Sequence, residues 1–536
     1  MKREQLLEQL ETQTYDLLVI GGGATGAGIA LDAATRGLKV ALVERGDFSE
    51  GTSSRSTKLV HGGVRYLEAA VKHLDKVQYN LVRDALRERG VILRLAPHLA
   101  HPIPLLTPLY KAWEVPYYFS GLKAYDLLAG HERLKPSRFV PRSRALEEFP
   151  QLKEEGLVGG VEYYDGQFDD ARMNVAVILT ALREGAVALN YVEVTGLVKE
   201  GGRVRGAVVH DRLGGASFEV RAGTVVNATG PFTDTIRRMD DPDATPMVVT
   251  SSGVHIILPG RFSPPGTGLL IPKTEDGRVL FVLPWMGHTL AGTTDEPAEL
   301  SFHPKPKDEE IDYILRHLKR YFALEPSRDD ILAAWSGLRP LVKDPKAHDT
   351  AELARDHLIS ESDSGLVTIA GGKWTTYRKM AEDLVDYVVR TRNLHPPHGC
   401  ITDRVFIEGA AAYDPEGWQG LMTDFGLDED VARHLNQSYG DRAPEVARLA
   451  AEGLDARLAP DHPFVEAEVA WATRNEMAAT PIDVLARRAR LAFLDQNAAL
   501  AALKRTAELM AGELGWSVEE EQAHIDEGRE RILEAL

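Results

Sequence analysis

Along the first fifty residues the spacing of apolar positions changes twice. Tyr15 to Ile20 is a short, nearly continuous apolar run, as expected of a strand buried on both faces. A glycine cluster follows, then helical spacing from Ala27 to Arg36, then a second apolar run from Lys39 to Glu44. That order predicts a β–α–β unit with parallel strands. Helices with one polar face are expected over Leu67 to Ala96. From Val187 to Asn227 apolar and polar residues alternate, interrupted by Gly201-Gly202 and Gly214-Gly215, which predicts an antiparallel meander. Met247 to Leu341 is rich in proline, glycine and β-branched residues and reads as a second, mostly β domain, with one charged helix from Lys307 to Tyr321. An amphipathic helix is expected from Tyr377 to Arg392.

The pattern changes again at His395-Pro396-Pro397-His398-Gly399, a run of helix breakers that marks a boundary. Beyond it Ala, Leu, Glu and Arg dominate, all good helix formers. Thr480 before Pro481, with Asp483 in the first turn, opens a helix expected to continue through Arg490. Gly515 can end a later helix, and Ser517 with Glu520 forms a capping box for the last.

Gly21-Gly22-Gly23-Ala24-Thr25-Gly26 has the G-x-G-x-x-G spacing between a predicted strand and a predicted helix. Glu44 ends the next strand eighteen positions after Gly26 (44 minus 26). In such a unit Gly21 allows the tight turn, Gly23 lets the backbone approach a pyrophosphate, and Gly26 lets helix and strand pack closely. Ala24 and Thr25 open the helix, whose unpaired N–H groups favour phosphate. Glu44 is placed to bind an adenosine ribose and to repel a 2′-phosphate. The fingerprint alone does not separate FAD from NAD.

Composition narrows the class. With 536 residues, the chain exceeds the roughly 250–300 at which a single core stops growing, so two or three domains are expected. A net charge of −18 repels nucleic-acid phosphates and argues against general attraction to anionic membranes. Cys400 is the sole cysteine, so no intrachain disulfide forms and a reducing cytoplasm is expected. Met1 to Glu11 carries both charges and reads as a short helix, not a secretory signal. Leu17 to Leu31 is uncharged but short and broken by glycines, so any membrane contact is expected to be peripheral. No metal-ligand spacing is identified.

The stretch Gly51-Thr52-Ser53-Ser54-Arg55-Ser56-Thr57-Lys58-Leu59-Val60-His61-Gly62-Gly63-Val64-Arg65-Tyr66-Leu67 closely resembles the FAD-binding loop of flavin-dependent glycerol-3-phosphate dehydrogenases. Further segments similar to that family follow in order: Val225 to Pro231, Val282 to Met286, Gly292 to Asp295, Ser336 to Leu341 and Gly371 to Lys379. Met477 to Asp495 is similar to its C-terminal domain. The resemblance implies an α/β (α+β) fold of the D-amino-acid-oxidase-like type. Its Rossmann-like FAD-binding domain, residues 1–80, 150–246 and 351–394, would interleave with a mostly β substrate-binding domain, residues 81–149 and 247–350. A helical domain over residues 395–536 would follow.

It also implies a reaction, the oxidation of sn-glycerol 3-phosphate to dihydroxyacetone phosphate with FAD as hydride acceptor and a quinone as the next carrier. Arg65 beside Tyr66, Arg339, Arg355 and Lys373 are the implied substrate-binding cations, Arg339 and Arg355 as the phosphate clamp, because a guanidinium grips phosphate oxygens in pairs. His61 and His255 are equally ranked as base for the 2-hydroxyl proton, since imidazole titrates near neutral pH. Around the cofactor the resemblance places Thr52, Ser53 and Ser56 on the pyrophosphate or ribityl chain, Gly62 and Gly63 against the ring, and Lys58 as a positive charge beside it. Arg45, Val192, Ala228, Thr229, Gly230, Asp234, Gly372 and Thr375 complete the implied cofactor cleft. Phe232 and Trp374 depart from the family pattern, which has tryptophan and leucine there, and both keep bulk and apolarity.

Several readings stay open. The same motifs serve an oxidase that passes electrons to oxygen, an amine or 2-hydroxy-acid oxidoreductase would also use arginine, and a scaffold could bind flavin without turnover. Leu109 to Leu128, with Trp113, Tyr117, Tyr118 and Phe119 beside Lys111 and Lys123, is either a cap over the core or a contact with the cytoplasmic face of a bilayer. A homodimer is compatible with the resemblance.

Overall fold

The computed structural model describes residues 2–63, 76–343 and 357–534. Arg65, Tyr66 and Arg355, and the first part of the helix expected from Leu67, lie outside the described residues. Two sheets organise the chain.

In the first sheet the expected unit is present: strand Thr14–Ile20, helix Ala24–Thr35 and strand Val40–Val43, with the strands parallel and Leu18 opposite Ala41. Ser217–Asn227 pairs on the other side of the first strand, also parallel, with Leu18 opposite Val225. Val187–Leu189 extends the sheet at one edge, and Val367–Gly371 with His357–Glu361 at the other. The first strand is central and packs into a different cluster on each face, Leu17 and Val19 on one and Leu18 and Ile20 on the other, which explains its nearly continuous apolar run. Helices Ala24–Thr35, Asp170–Arg183 and Tyr377–Thr391 pack on one face. The other face carries helix Arg3–Thr12 and packs against the hairpin Val192–Glu200 and Arg203–Asp211, which joins the sheet by antiparallel pairing with Ser217–Asn227.

The second sheet is ten-stranded. Its longest strands, Ala100–Leu109, Gly159–Phe168, Val248–Pro259 and Ala333–Val342, pair antiparallel in twos. The charged helix Asp308–Tyr321 covers one face and buries Ile314 and Leu318 against it. Its opposite face meets the C-terminal helices, where the Trp335 ring stands edge-on to Phe493 with centroids 5.0 Å apart. Leu59–Val60 and Gly159–Phe168 pair with each other in this second sheet, although the expected boundaries at 80 and 150 placed them with the first. Their hydrogen-bond partners decide membership, and partners are not visible in local pattern.

The C-terminal punctuation holds at two places and fails at a third. Gly515 ends helix Gln496–Leu514 with φ +72°, and Ser517 and Glu520 form the capping box of Val518–Leu533. Thr480 and Asp483 do exchange hydrogen bonds at 2.8 and 3.3 Å. The segment they open, however, widens to a π-helical turn over Asp483–Arg488, and Arg490 adopts φ +68° in place of a continuing helix.

Candidate active site

A cavity of about 1010 Å³ lies between the two sheets. Its floor is the glycine turn: Gly21, Gly23, Ala24 and Thr25 line it, followed by Glu44 and Arg45 at the end of the second strand. Gly21 holds φ +112°, and a Cβ there would stand 2.6 Å from the Ala228 carbonyl oxygen, so a side chain is excluded. Gly26 does not reach the cavity. A Cβ on it would lie 1.8 Å from the Gly21 oxygen, so it is the point of closest approach between helix and turn.

Gly23 caps the helix without a side-chain acceptor, which leaves the positive end of the helix facing the cavity, an arrangement that attracts phosphate. Ser53 Oγ accepts from Ala24 N at 2.9 Å. The Glu44 carboxylate accepts from Gly22 N at 2.7 Å and Gly46 N at 2.9 Å. Burial raises its pKa above the ordinary carboxylate value, and those two N–H groups offset only part of that rise. Arg45 pairs with Glu193 at 2.9 Å and lies 3.7 Å over the Phe302 ring. Phe302 in turn stacks on Phe232, with ring centroids 4.1 Å apart. Val192, Ala228, Thr229 and Gly230 close this end.

The wall continues through the loop after Asp47, where Thr52, Ser53 and Ser56 line the cavity, although the Ser56 hydroxyl itself donates to Asp170 at 2.7 Å and so turns away from it. Gly372, Lys373 and Thr375 oppose them, and Thr375 Oγ1 accepts from His61 N at 3.1 Å. Trp374 donates its indole N–H to the Ser53 carbonyl at 2.9 Å, so the tryptophan that departs from the family pattern ties the two walls together. His61 and Gly63 line the far end with His255 and Arg339.

His255 and Arg339 sit on paired strands of the second sheet. Arg339 donates to the Ser252 carbonyl at 2.9 Å, the Thr294 carbonyl at 2.9 Å, Thr293 Oγ1 at 3.1 Å and Asp295 at 3.2 Å. Gly253 makes room for it: a Cβ there would lie 2.4 Å from an Arg339 nitrogen. The His255 imidazole is buried, stacks on Trp335 and lies 2.9 Å from Thr57 Oγ1 through Nε2. Burial first, then the charges of Lys58 and Arg339, hold its pKa well below the ordinary histidine value. The ring is neutral at physiological pH.

Three expected contributors point elsewhere. Lys58 is fully buried, and its ammonium donates to Asp170 at 2.7 Å and to the Ser54 carbonyl at 2.8 Å, away from the cavity. Burial lowers it to about 7 even against the pull of Asp170. Asp234 accepts from Met247 N at 2.9 Å, from Val248 N at 3.1 Å and from Arg237 at 2.7 Å, so it pins the crossover into the second sheet. Gly62 donates its N–H to the Tyr125 hydroxyl at 2.7 Å, and it is Gly63 that reaches the cavity. Conversely, Thr57 and Arg55 inside the quoted loop, and Asp295 inside its short motif, line the cavity without having been singled out. Their signal lay in those motifs, but their partners come from other strands.

Helix Glu114–Leu128 resolves part of its own ambiguity. Leu122 and Tyr125 are buried, and Tyr117 and Tyr118 line the cavity, so the helix caps the site. Trp113 is 64% exposed and Leu127 77%. Among the described residues no helix is long and apolar enough to cross a membrane.

Residues 16–378 match the family model described as FAD dependent oxidoreductase, and residues 400–521 match the C-terminal domain of alpha-glycerophosphate oxidase. Fold and cavity together thus define an FAD-dependent oxidoreductase. The probable mitochondrial glycerol-3-phosphate dehydrogenase of Caenorhabditis elegans is 52% identical over 98% of this chain and 74% of its own length. The mitochondrial glycerol-3-phosphate dehydrogenase of Homo sapiens is 51% identical with the same coverage. The solved glycerol-3-phosphate dehydrogenase from Bacillus halodurans, complexed with FAD, superposes with a TM-score of 0.81 at 32% identity, covering 99% of this chain and 97% of that one. The chain belongs to the FAD-dependent glycerol-3-phosphate dehydrogenase family, and the cavity is built to take FAD: a side-chain-free glycine turn, a helix N-terminus, and a carboxylate at the end of the second strand.

Proposed function

We propose that this chain oxidises sn-glycerol 3-phosphate to dihydroxyacetone phosphate and that its electrons pass from FAD to a quinone. Bound FAD supplies the acceptor for the hydride that leaves C2. The chain's own residues must then bind a dianion, orient C2, and take the proton of the 2-hydroxyl.

His255 suits the last task. Its imidazole is neutral, its position is fixed by stacking on Trp335, and Thr57 Oγ1 rests 2.9 Å from Nε2, so a proton can reach that nitrogen directly or through the threonine hydroxyl. Arg339 and Lys373 supply positive charge at the same end of the cavity, with Arg65, Tyr66 and Arg355 as further candidates. His61 remains a second contact for substrate or flavin. The observation that carries the reading is the placement of His255 and Arg339 on paired strands that both line the cavity, a neutral proton acceptor near a fixed positive charge. A single carboxylate substrate would not need that many cations.

Anaerobic mixing of the purified holoenzyme with glycerol 3-phosphate, lactate or glycine tests the substrate. Loss of the yellow flavin absorbance is expected with glycerol 3-phosphate alone; bleaching by glycine or lactate instead would overturn the reading. Adding oxygen or a short-chain quinone to the bleached enzyme then separates a dehydrogenase from an oxidase, and rapid recovery is expected with the quinone. A membrane surface is the setting this acceptor implies, with the exposed Trp113 and Leu127 as candidate contacts.

A further inference from the structure

The loop from Asp47 to Lys58 presents two faces. Ser49, Glu50, Thr52, Ser53, Ser56 and Thr57 line the FAD cavity. Asp47, Ser54 and Lys58 turn the other way, and there the loop meets the helical C-terminal region. Among the described residues none beyond Met380 lines the cavity, so that region reaches the cofactor only through what it touches.

What it touches is the outer face of this loop. The Asp47 carboxylate, fully buried, accepts from Arg487 Nε at 2.6 Å and from two nitrogens of Arg488 at 2.7 and 3.0 Å. Arg490 donates to the Ser54 carbonyl at 3.0 Å and to Asp170 at 3.1 Å. The other oxygen of Asp170 accepts from Ser56 N at 3.0 Å, Ser56 Oγ at 2.7 Å and Lys58 Nζ at 2.7 Å. Ser56 itself lines the cavity. A path of contacts one residue deep therefore joins Arg490 to the cavity wall, and Arg531 of the last helix adds a pair with Glu50 at 3.0 Å.

The backbone that delivers these arginines departs from regular helix. In an α-helix neighbouring side chains diverge by about 100°. Within the π-helical turn over Asp483–Arg488, the adjacent Arg487 and Arg488 nonetheless both reach Asp47. Arg490 holds φ +68°, a left-handed conformation that a non-glycine residue keeps only where its surroundings enforce it.

We propose that Arg487, Arg488 and Arg490 are positioning residues for FAD: the C-terminal region holds the outer face of the loop so that its inner face is already shaped for the cofactor. The inference rests on FAD occupying the cavity and is independent of which alcohol is oxidised. It gives the helical region a role that its distance from the chemistry would otherwise hide.

Coupling between two sites is reciprocal, so the wild-type protein provides the first test. Hydrogen exchange of the full chain is compared with FAD bound and after its removal. FAD is expected to slow exchange in residues 483–490 as well as 47–58, and to leave helix Glu429–Tyr439 of the same region unchanged. Equal exchange in 483–490 with and without FAD would overturn the proposal. Second, Arg490→Lys keeps the charge but loses the guanidinium that holds Ser54 and Asp170 through one nitrogen and the Ala486 carbonyl through the other. It is expected to raise the FAD dissociation constant at least about tenfold. Arg505→Gln removes the pair with Glu466 (2.6 Å) in the same region, away from the loop, and is expected to lower the melting temperature without weakening FAD. Equal FAD affinity in the two variants refutes the positioning role, and if Arg490→Lys does not fold, the exchange experiment decides.

Discussion

Thr57 Oγ1 lies 2.9 Å from His255 Nε2, so a residue of the FAD-binding loop touches the candidate base on a strand of the other sheet. The contact fixes the imidazole at the seam between the sheets. Because burial and the nearby cations hold His255 well below the ordinary histidine range, kcat at saturating substrate is expected to show no acid limb near 6.5. His255→Asn should retain FAD and lose roughly 10²–10⁴-fold in kcat, the usual loss of a general base. An acid limb at 6.5 in the wild type, or full turnover in the variant, would assign the proton to another group.

Arg339 already spends its terminal donors on Ser252 of the strand Val248–Pro259 and on Thr293, Thr294 and Asp295 of the loop after His288–Gly292. Arg339→Lys keeps the charge and gives up the planar fork. We expect normal FAD content and a KM for glycerol 3-phosphate raised about tenfold or more, with little rescue by glycerol plus phosphate. Steady-state kinetics beside the flavin spectrum separates this from a loss of cofactor.

Gly26 and Gly23 differ in what a methyl group would meet. At Gly26 it would lie 1.8 Å from a backbone oxygen, and at Gly23 it would lie 3.0 Å from the Ser53 hydroxyl, at the cavity. Gly26→Ala is therefore expected to yield misfolded or insoluble protein. Gly23→Ala should fold with a near-normal far-ultraviolet circular dichroism spectrum and be isolated with little flavin.

His98 is buried near Arg172, and burial followed by that charge lowers it from 6.5 to about 3. Below about 6.5 the unfolded chain binds a proton that the native state refuses, so this contribution to stability is complete above 6.5 and declines down to about 3. The slope approaches about 1.4 kcal/mol per pH unit for one such group. Denaturant unfolding between pH 7 and 4 should show a shallower loss in His98→Asn than in the wild type; parallel curves would rule His98 out as the cause.

Much was legible from local sequence because its causes are local. The β–α–β start needs only an apolar run, a glycine turn and helical spacing, and Thr14–Ile20, Ala24–Thr35 and Val40–Val43 follow. Capping at Ser517 and the left-handed stop at Gly515 depend on atoms within a few residues. Motif positions such as Ser53, Lys373 and Arg339 line the cavity, because each lies in a short segment that borders it.

By itself, then, the sequence determined the elements, the dinucleotide turn and the family. Tertiary structure alone decided direction and partnership. Lys58 and Gly62 sit in cavity-forming segments yet turn to Asp170 and Tyr125; Leu59–Val60 joins the second sheet; and Arg490 leaves the helix to reach Ser54 and Asp170. The physical reason is the same in each case. A buried charge or backbone N–H must find a partner, and that partner comes from a segment distant in the chain, which no local window contains.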